Sequence, residues 1–433
     1  MTARTAAPKR LRLEFDPGTV TGWSRRHPGG ARCGVISGIA LPRQFPKLPP
    51  VPAPSPAYVI DLGVIRANCE VLAEIKRRSG CQIVHALKAF AVPQVFPLLR
   101  EYLDGCCASG RWEAQLAHEF FGGHIVTCGP AYTEADLGLL AISSRLDFNS
   151  VRQWEAWRDR IADHPRFRSG DLRCGLRINP RCSTGPVPLY DPCAPGSRLG
   201  TPREALAGAD LRGLSGLHFH TLCKQGSEDL ETTLAVVDEL FGDLLRSAQF
   251  TSLNLGGGHG ITQPDYNLDL LLRLIETTRD RYQLQEIWLE PGEAAVLHAG
   301  TLHASVVDLF DNGPNHLALL DVSATAHMPD VLEMPYRPAI RLEGTAATES
   351  GPHLYRLGGN SCLAGDVIGD FAFHRPLRIG DRLEFLDMAH YTMVKSTLFN
   401  GVPHPAIVLR HEDGTLETVR AFGYPDFKQR LGA

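Results

Sequence analysis

From Tyr58 onward, apolar positions alternate between two textures: short continuous runs and stripes of helical period. The runs at 82–88, 105–109, 124–128, 144–149, 173–179, 214–221, 252–256 and 286–290 have strand length and end in turn-forming residues. The clearest stripes lie at 64–78, 111–120, 151–162, 229–248 and 267–281, and in the first of them Ile65, Cys69, Leu72 and Ile75 fall on one face. Eight strands alternating with helices predict an α/β fold, a parallel (β/α)₈ barrel over residues 58–300. A doubly wound open sheet is the structural competitor, and eight units favour closure. After residue 300 the runs shorten, as at 304–309, 317–320 and 406–410, with turns at 311–313 and 412–414 between them. Residues 301–433 therefore read as a C-terminal β-rich domain.

Residues 1–57 follow neither texture. They are rich in Arg, Gly and Pro and close on prolines at 49, 50, 52, 54 and 56, which remove donors and resist helix. This segment reads as a disordered or loosely attached extension, or as sequence upstream of a true start near Val51.

Composition narrows the function classes. The 433 residues carry a formal charge of -4, so there is no general basic face for nucleic acid. No apolar stretch is long enough to span a bilayer. After Lys9, Arg10 and Arg12 comes Glu14-Phe15-Asp16-Pro17 in place of a signal-peptide core. A soluble, cytoplasmic protein with neither a nucleic-acid nor a membrane partner is expected. Eleven cysteines occur without one C-x-x-C pair, which suits reduced core thiols better than a disulfide frame or a zinc site.

In a barrel of this kind the active site lies at the C-terminal ends of the strands. The first barrel strand closes on His85-Ala86-Leu87-Lys88. Alone, Lys88 would read as a snorkelling surface lysine. The sixth closes on Leu217-His218-Phe219-His220, with both histidines on one face. No third ligand stands at convincing spacing, so no metal is expected. The seventh runs into Gly256-Gly257-Gly258, where backbone N–H groups can approach an anion. It lacks the Gly-Lys-Ser/Thr ending of a P-loop. The eighth closes on Glu290-Pro291-Gly292-Glu293. An amine nucleophile, a ring-stacking imidazole, a phosphate loop and an acid for a ring nitrogen are together the requirements of pyridoxal 5'-phosphate chemistry.

The chain from about Tyr58 to its C-terminus also resembles a known family, the alanine-racemase-fold pyridoxal-phosphate decarboxylases, and within them the carboxynorspermidine/carboxyspermidine subfamily. The likeness rests on residues 86–90 (ALKAF), 216–223 (GLHFHTLC), 321–334 (DVSATAHMPDVLEM) and 359–366 (GNSCLAGD). It implies decarboxylation of carboxynorspermidine or carboxyspermidine in polyamine biosynthesis. Lys88 would be the Schiff-base lysine and His220 the ring stacker. Gly256, Gly257, Gly258 and Tyr391 would hold the phosphate, and Glu290 would pair with the ring nitrogen. Cys362 would enter the active site of the partner subunit in a homodimer and return a proton to Cα. Related diamine decarboxylases read Glu-Pro-Gly-Arg where this chain has Glu293. A carboxylate beside phosphate is repelled, so Glu293 is expected to face a cationic substrate, joined by Asp330 and by Asp366, for which an ordinary loop acid is the alternative reading. The alternatives are a decarboxylase of diaminopimelate, ornithine or arginine, a racemase, or a non-catalytic pyridoxal-phosphate-binding protein. The last resembles the barrel alone, so the β-domain speaks against it.

Overall fold

The computed structural model describes residues 53–185, 187–334 and 336–433. Eight parallel strands close a barrel: β2 (Gln82–Ala86), β3 (Gly105–Ala108), β4 (His124–Cys128), β5 (Arg145–Phe148), β6 (Arg173–Arg177), β7 (Gly216–His218), β8 (Ser252–Asn254) and β9 (Glu286–Leu289). Pairing of Gln82 with Trp288 and of Ile83 with Leu289 seals the ring. Each of the eight apolar runs holds one of these strands. The helices Arg111–Phe120, Val151–Asp163, Ser227–Leu245 and Leu268–Tyr282 follow the stripes closely. They bury their apolar faces on the outside of the barrel, where Trp154, Phe148, Phe219 and Phe241 are fully enclosed.

The inside of the barrel is divided. Val84, Ala86, Cys107, Val126 and Trp288 form an apolar cluster. Facing it are Arg145, Asp147, His218, Ser252 and Asn254, all buried. Branched aliphatic residues ordinarily fill such an interior, so this polar half needs its own explanation.

The second body is a ten-stranded sheet, and one of its strands comes from the N-terminal side of the barrel. β1 (Ala57–Asp61) lies antiparallel to β10 (Gly300–Asn312) and parallel to the strand Ala406–Arg410. The sheet domain thus includes residues placed by the sequence reading at the start of the barrel. The expectation of a loose extension falls mostly on residues 1–52, outside the described residues. Within residues 53–57, Ala53 and Ala57 are buried while Pro54 is exposed, and the Ala53 carbonyl accepts from Arg382 Nη1 at 2.8 Å. From β1 the chain enters the helix Leu62–Ser79. Asp61 Oδ1 caps it by accepting from Val64 N at 3.0 Å, and left-handed Gly80 ends it. No described helix is long and apolar enough to cross a membrane.

Candidate active site

The strand ends converge on one cavity of about 770 Å³, whose wall includes Lys88, His220, Gly258, Glu290, Asp330 and Tyr391. β2 delivers Lys88 because its last residues are pinned on both sides. Ala86 N donates to the Pro291 carbonyl and Leu87 N to that of Cys107, each at 3.1 Å. The lysine therefore emerges beside the Glu290-Pro291-Gly292 turn rather than at an open surface.

The glycine run is required by shape. Gly256 and Gly258 have φ of +71° and +81°. A Cβ on Gly258 would lie 1.9 Å from the Leu222 carbonyl oxygen, and one on Gly257 would lie 2.3 Å from that of Glu290. Gly256 and Gly257 are buried in the turn, and Gly258 faces the cavity. Among the described residues, the N–H groups of Gly258 and His259 make no hydrogen bond. Unpaired donors at a cavity wall fit a phosphate. We expect Gly258→Ala to lose at least ~1–2 kcal/mol from the left-handed backbone alone and to abolish pyridoxal-phosphate uptake, as read by thermal unfolding and absorbance titration.

His220 is held by a hydrogen bond from Gly257 N to its Nδ1, 3.0 Å. Its other nitrogen then carries the proton. Burial, with the nearby charges of Lys88 and Arg177, pushes its pKa well below the ordinary value, so the ring is a neutral stacking surface. Tyr391 sits at φ +53° and is tied to Ala89 by its backbone N–H at 2.9 Å. Burial raises its phenol pKa, which keeps the hydroxyl a donor.

Glu290 is nearly enclosed and accepts from Asn254 Nδ2 on Oε1 at 2.7 Å. Its Oε2 lies 3.6 Å from His218 Nε2. The structure thus adds to the two histidines a third ligating group that their spacing in the sequence lacked: atoms of His218, His220 and Glu290 lie within 4.8 Å of one another. His218 is a poor ligand nonetheless, because a carboxylate faces each of its nitrogens and favours the doubly protonated ring, which has no lone pair. The same groups suit a cofactor ring, with an acid for its nitrogen and a neutral imidazole beside it.

The two acids expected to face a cationic substrate line the cavity, but each already has a counter-charge. Glu293 Oε1 is 3.2 Å from Lys224 Nζ, and His390 Nδ1 stands 3.9 Å from the same carboxylate. Asp330 is bonded to Lys395, which also reaches Glu333. Half-buried carboxylates need such partners. Asp366 is elsewhere. It is buried and accepts from Ala324 N at 2.8 Å, Ser361 Oγ at 2.6 Å and Ser361 N at 3.2 Å. Its carboxylate fixes the loop that carries Cys362. Cys362 itself is exposed, away from its own chain's cavity, with its N–H on Asn400 Oδ1 at 2.8 Å and the exposed side chains of Leu363 and Phe399 nearby.

Sequence reasoning missed Arg145, Asp147, Asn254, Lys224 and Lys395. The signal for the first two was available: in 144–149 the charges alternate with Leu146 and Phe148, which places them on one face of the strand, as His218 and His220 are placed on theirs. The two lysines had no such signal, because their pairing depends on which loops meet.

Comparison with known proteins agrees with this geometry. Residues 57–389 match the family model described as "Pyridoxal-dependent decarboxylase, C-terminal sheet domain". A carboxyaminopropylagmatine decarboxylase of Synechocystis sp. is 42% identical, covering 88% of this chain and 96% of its own. A carboxynorspermidine/carboxyspermidine decarboxylase of Campylobacter jejuni is 39% identical, covering 87% and 98%. The crystal structure of carboxynorspermidine decarboxylase complexed with norspermidine, from Campylobacter jejuni, superposes with a TM-score of 0.77 at 36% identity, covering 87% of this chain and 100% of that one.

Proposed function

Because the chain belongs to the pyridoxal-dependent decarboxylases, we propose that it removes the α-carboxylate of a carboxylated polyamine, carboxynorspermidine or carboxyspermidine, as CO₂ in the cytoplasm. The reading is carried by the meeting of Lys88, His220, Gly258 and Glu290 on one cavity wall. Pyridoxal 5'-phosphate, when bound, supplies the electron sink for the carbon that loses CO₂.

The chain's own residues supply the rest. Lys88 Nζ would hold the cofactor and hand it to the substrate amine. Gly256, Gly257 and Gly258 shape the turn whose free N–H groups would meet the phosphate, with Tyr391 as a further donor. His220, neutral and fixed by Gly257, would lie on the ring. Glu290 would accept from the ring nitrogen. Cys362 would protonate Cα from the partner subunit of a homodimer, which accounts for its exposure beside Leu363 and Phe399. Asp366 would serve that step only by holding the Cys362 loop.

The substrate's amines enter by exchange. An ammonium group reaching Glu293 or Asp330 takes the place of Lys224 or Lys395, so each contact gains only a difference between two ion pairs. The wall carries both signs, and charge alone does not reject diaminopimelate. What favours a carboxylated polyamine is the level of identity with enzymes of that class. A relative named for carboxyaminopropylagmatine makes a guanidinium-ended arm the second reading.

The test is CO₂ release from carboxynorspermidine, carboxyspermidine, carboxyaminopropylagmatine, diaminopimelate, ornithine and arginine. We expect kcat/KM for a carboxylated polyamine to exceed that for diaminopimelate. The two arms differing by one methylene should differ by about 10- to 200-fold at most. Preference for diaminopimelate or ornithine would overturn the assignment.

A further inference from the structure

Four charged side chains run in a row through the polar half of the barrel interior. Arg145 Nε lies 2.9 Å from Asp147 Oδ1, Asp147 Oδ2 lies 3.2 Å from His218 Nδ1, and His218 Nε2 lies 3.6 Å from Glu290 Oε2. None is more than 3% exposed. The signs alternate, and the negative end opens on the cavity.

The barrel is built around this row. A Cβ at Gly216 would lie 1.9 Å from Arg145 Nη2, and one at Gly175 would lie 2.1 Å from Asp147 Oδ1. Ser252 Oγ accepts from Arg145 Nη1 at 2.7 Å. Two glycines and a serine, each from a different strand, therefore make the room and supply the contact. Buried ion pairs are weak stabilisers compared with apolar packing of the same volume, so a row given this much space points to a task beyond stability.

His218 is the link between the strands and the site. A neutral imidazole donates from one nitrogen and presents a lone pair from the other. Here each nitrogen faces a carboxylate, and only the imidazolium satisfies both. Burial opposes that charge, but Glu290, Cys128 and Asp147 together outweigh it, and the pKa is pushed up to about 10. The other titratable neighbours are Cys107 from β3, whose thiol burial and Glu290 keep protonated, and Cys128 from β4. Lys88 and His220 stand at the mouth.

We propose that His218 is a positioning residue: as an imidazolium clamped between Asp147 and Glu290, it fixes the Glu290 carboxylate for the ring nitrogen of the bound cofactor. This rests on the reading that Glu290 faces that nitrogen. Asn254 holds one oxygen of the carboxylate and His218 attracts the other, so the acid is oriented before any ring arrives.

The experiment uses cofactor labelled with ¹⁵N at the ring nitrogen, bound to the parent protein and to His218→Gln. Protonation is read from the nitrogen chemical shift, and affinity from titration of the apoprotein. The parent should hold a protonated ring. The variant should hold a largely unprotonated one and bind about 10- to 100-fold more weakly, the loss typical of a charge-assisted contact. A ring protonated equally in both proteins overturns the role of His218 and leaves that of Glu290 standing. An unprotonated ring in the parent overturns the assignment of Glu290 and this proposal with it. Should His218→Gln not fold, the histidine nitrogens of the ¹⁵N-labelled parent decide. His218 should be doubly protonated at about pH 8, where an unperturbed histidine is neutral, and a neutral His218 there overturns the proposal.

Discussion

Lys88→Ala is expected to abolish decarboxylation, with kcat falling by roughly 10³–10⁶-fold, the range spanned when a covalent nucleophile is removed. The fold should survive, because Lys88 only lines the cavity and makes no ion pair among the described residues. The pins that form the lip, Ala86 N to Pro291 and Leu87 N to Cys107, are backbone bonds that the substitution leaves in place. In the parent, borohydride reduction should fix the cofactor to one peptide, the one containing Lys88. Label on any other lysine, Lys224 and Lys395 being the nearest rivals on the same wall, would displace the central assignment.

Cys362→Ala is expected to lower turnover by about 10²–10⁴-fold, the contribution of a positioned proton donor, while cofactor uptake stays at the parent level. Its backbone bond to Asn400 and the anchoring of its loop by Asp366 do not involve the thiol. The exposure of Cys362 adds a sharper expectation. If it serves the partner subunit, chains carrying Lys88→Ala and Cys362→Ala, each inactive alone, complement one another on coexpression. Random pairing makes half of the dimers mixed, each with one intact site, so activity should return to about a quarter of the parent. No recovery would place the thiol's work elsewhere.

Much of this architecture was legible in the chain. The eight apolar runs each hold a barrel strand, and the stripe at 111–120 coincides with the helix Arg111–Phe120. Period and length carry that information locally. The cavity residues were legible for a related reason: Lys88, His220, Gly258 and Glu290 close or follow strands, and a barrel gathers strand ends at one face. Two things escaped. Tyr58–Asp61 reads as a strand, but its membership in the sheet domain depends on partners some 240 and 350 positions away, which no local pattern shows. The charged half of the barrel escaped because a run containing Leu146 and Phe148 looks like any buried strand. Only the alternation with Arg145 and Asp147 betrays its inner face. The counter-ions Lys224 and Lys395 lie on loops, and loops meet according to the whole fold.

The placement of β1 has a consequence for how the chain is made. The strand Ala57–Asp61 is made some 350 residues before its parallel neighbour Ala406–Arg410. At about 5–20 residues per second, the nascent strand waits roughly 20 to 70 seconds with one edge unsatisfied. Until Ala406–Arg410 is made, that edge is open to any other extended segment. Completion of the second body therefore waits for Ala406–Arg410, and a message truncated before that strand would yield a product prone to aggregate.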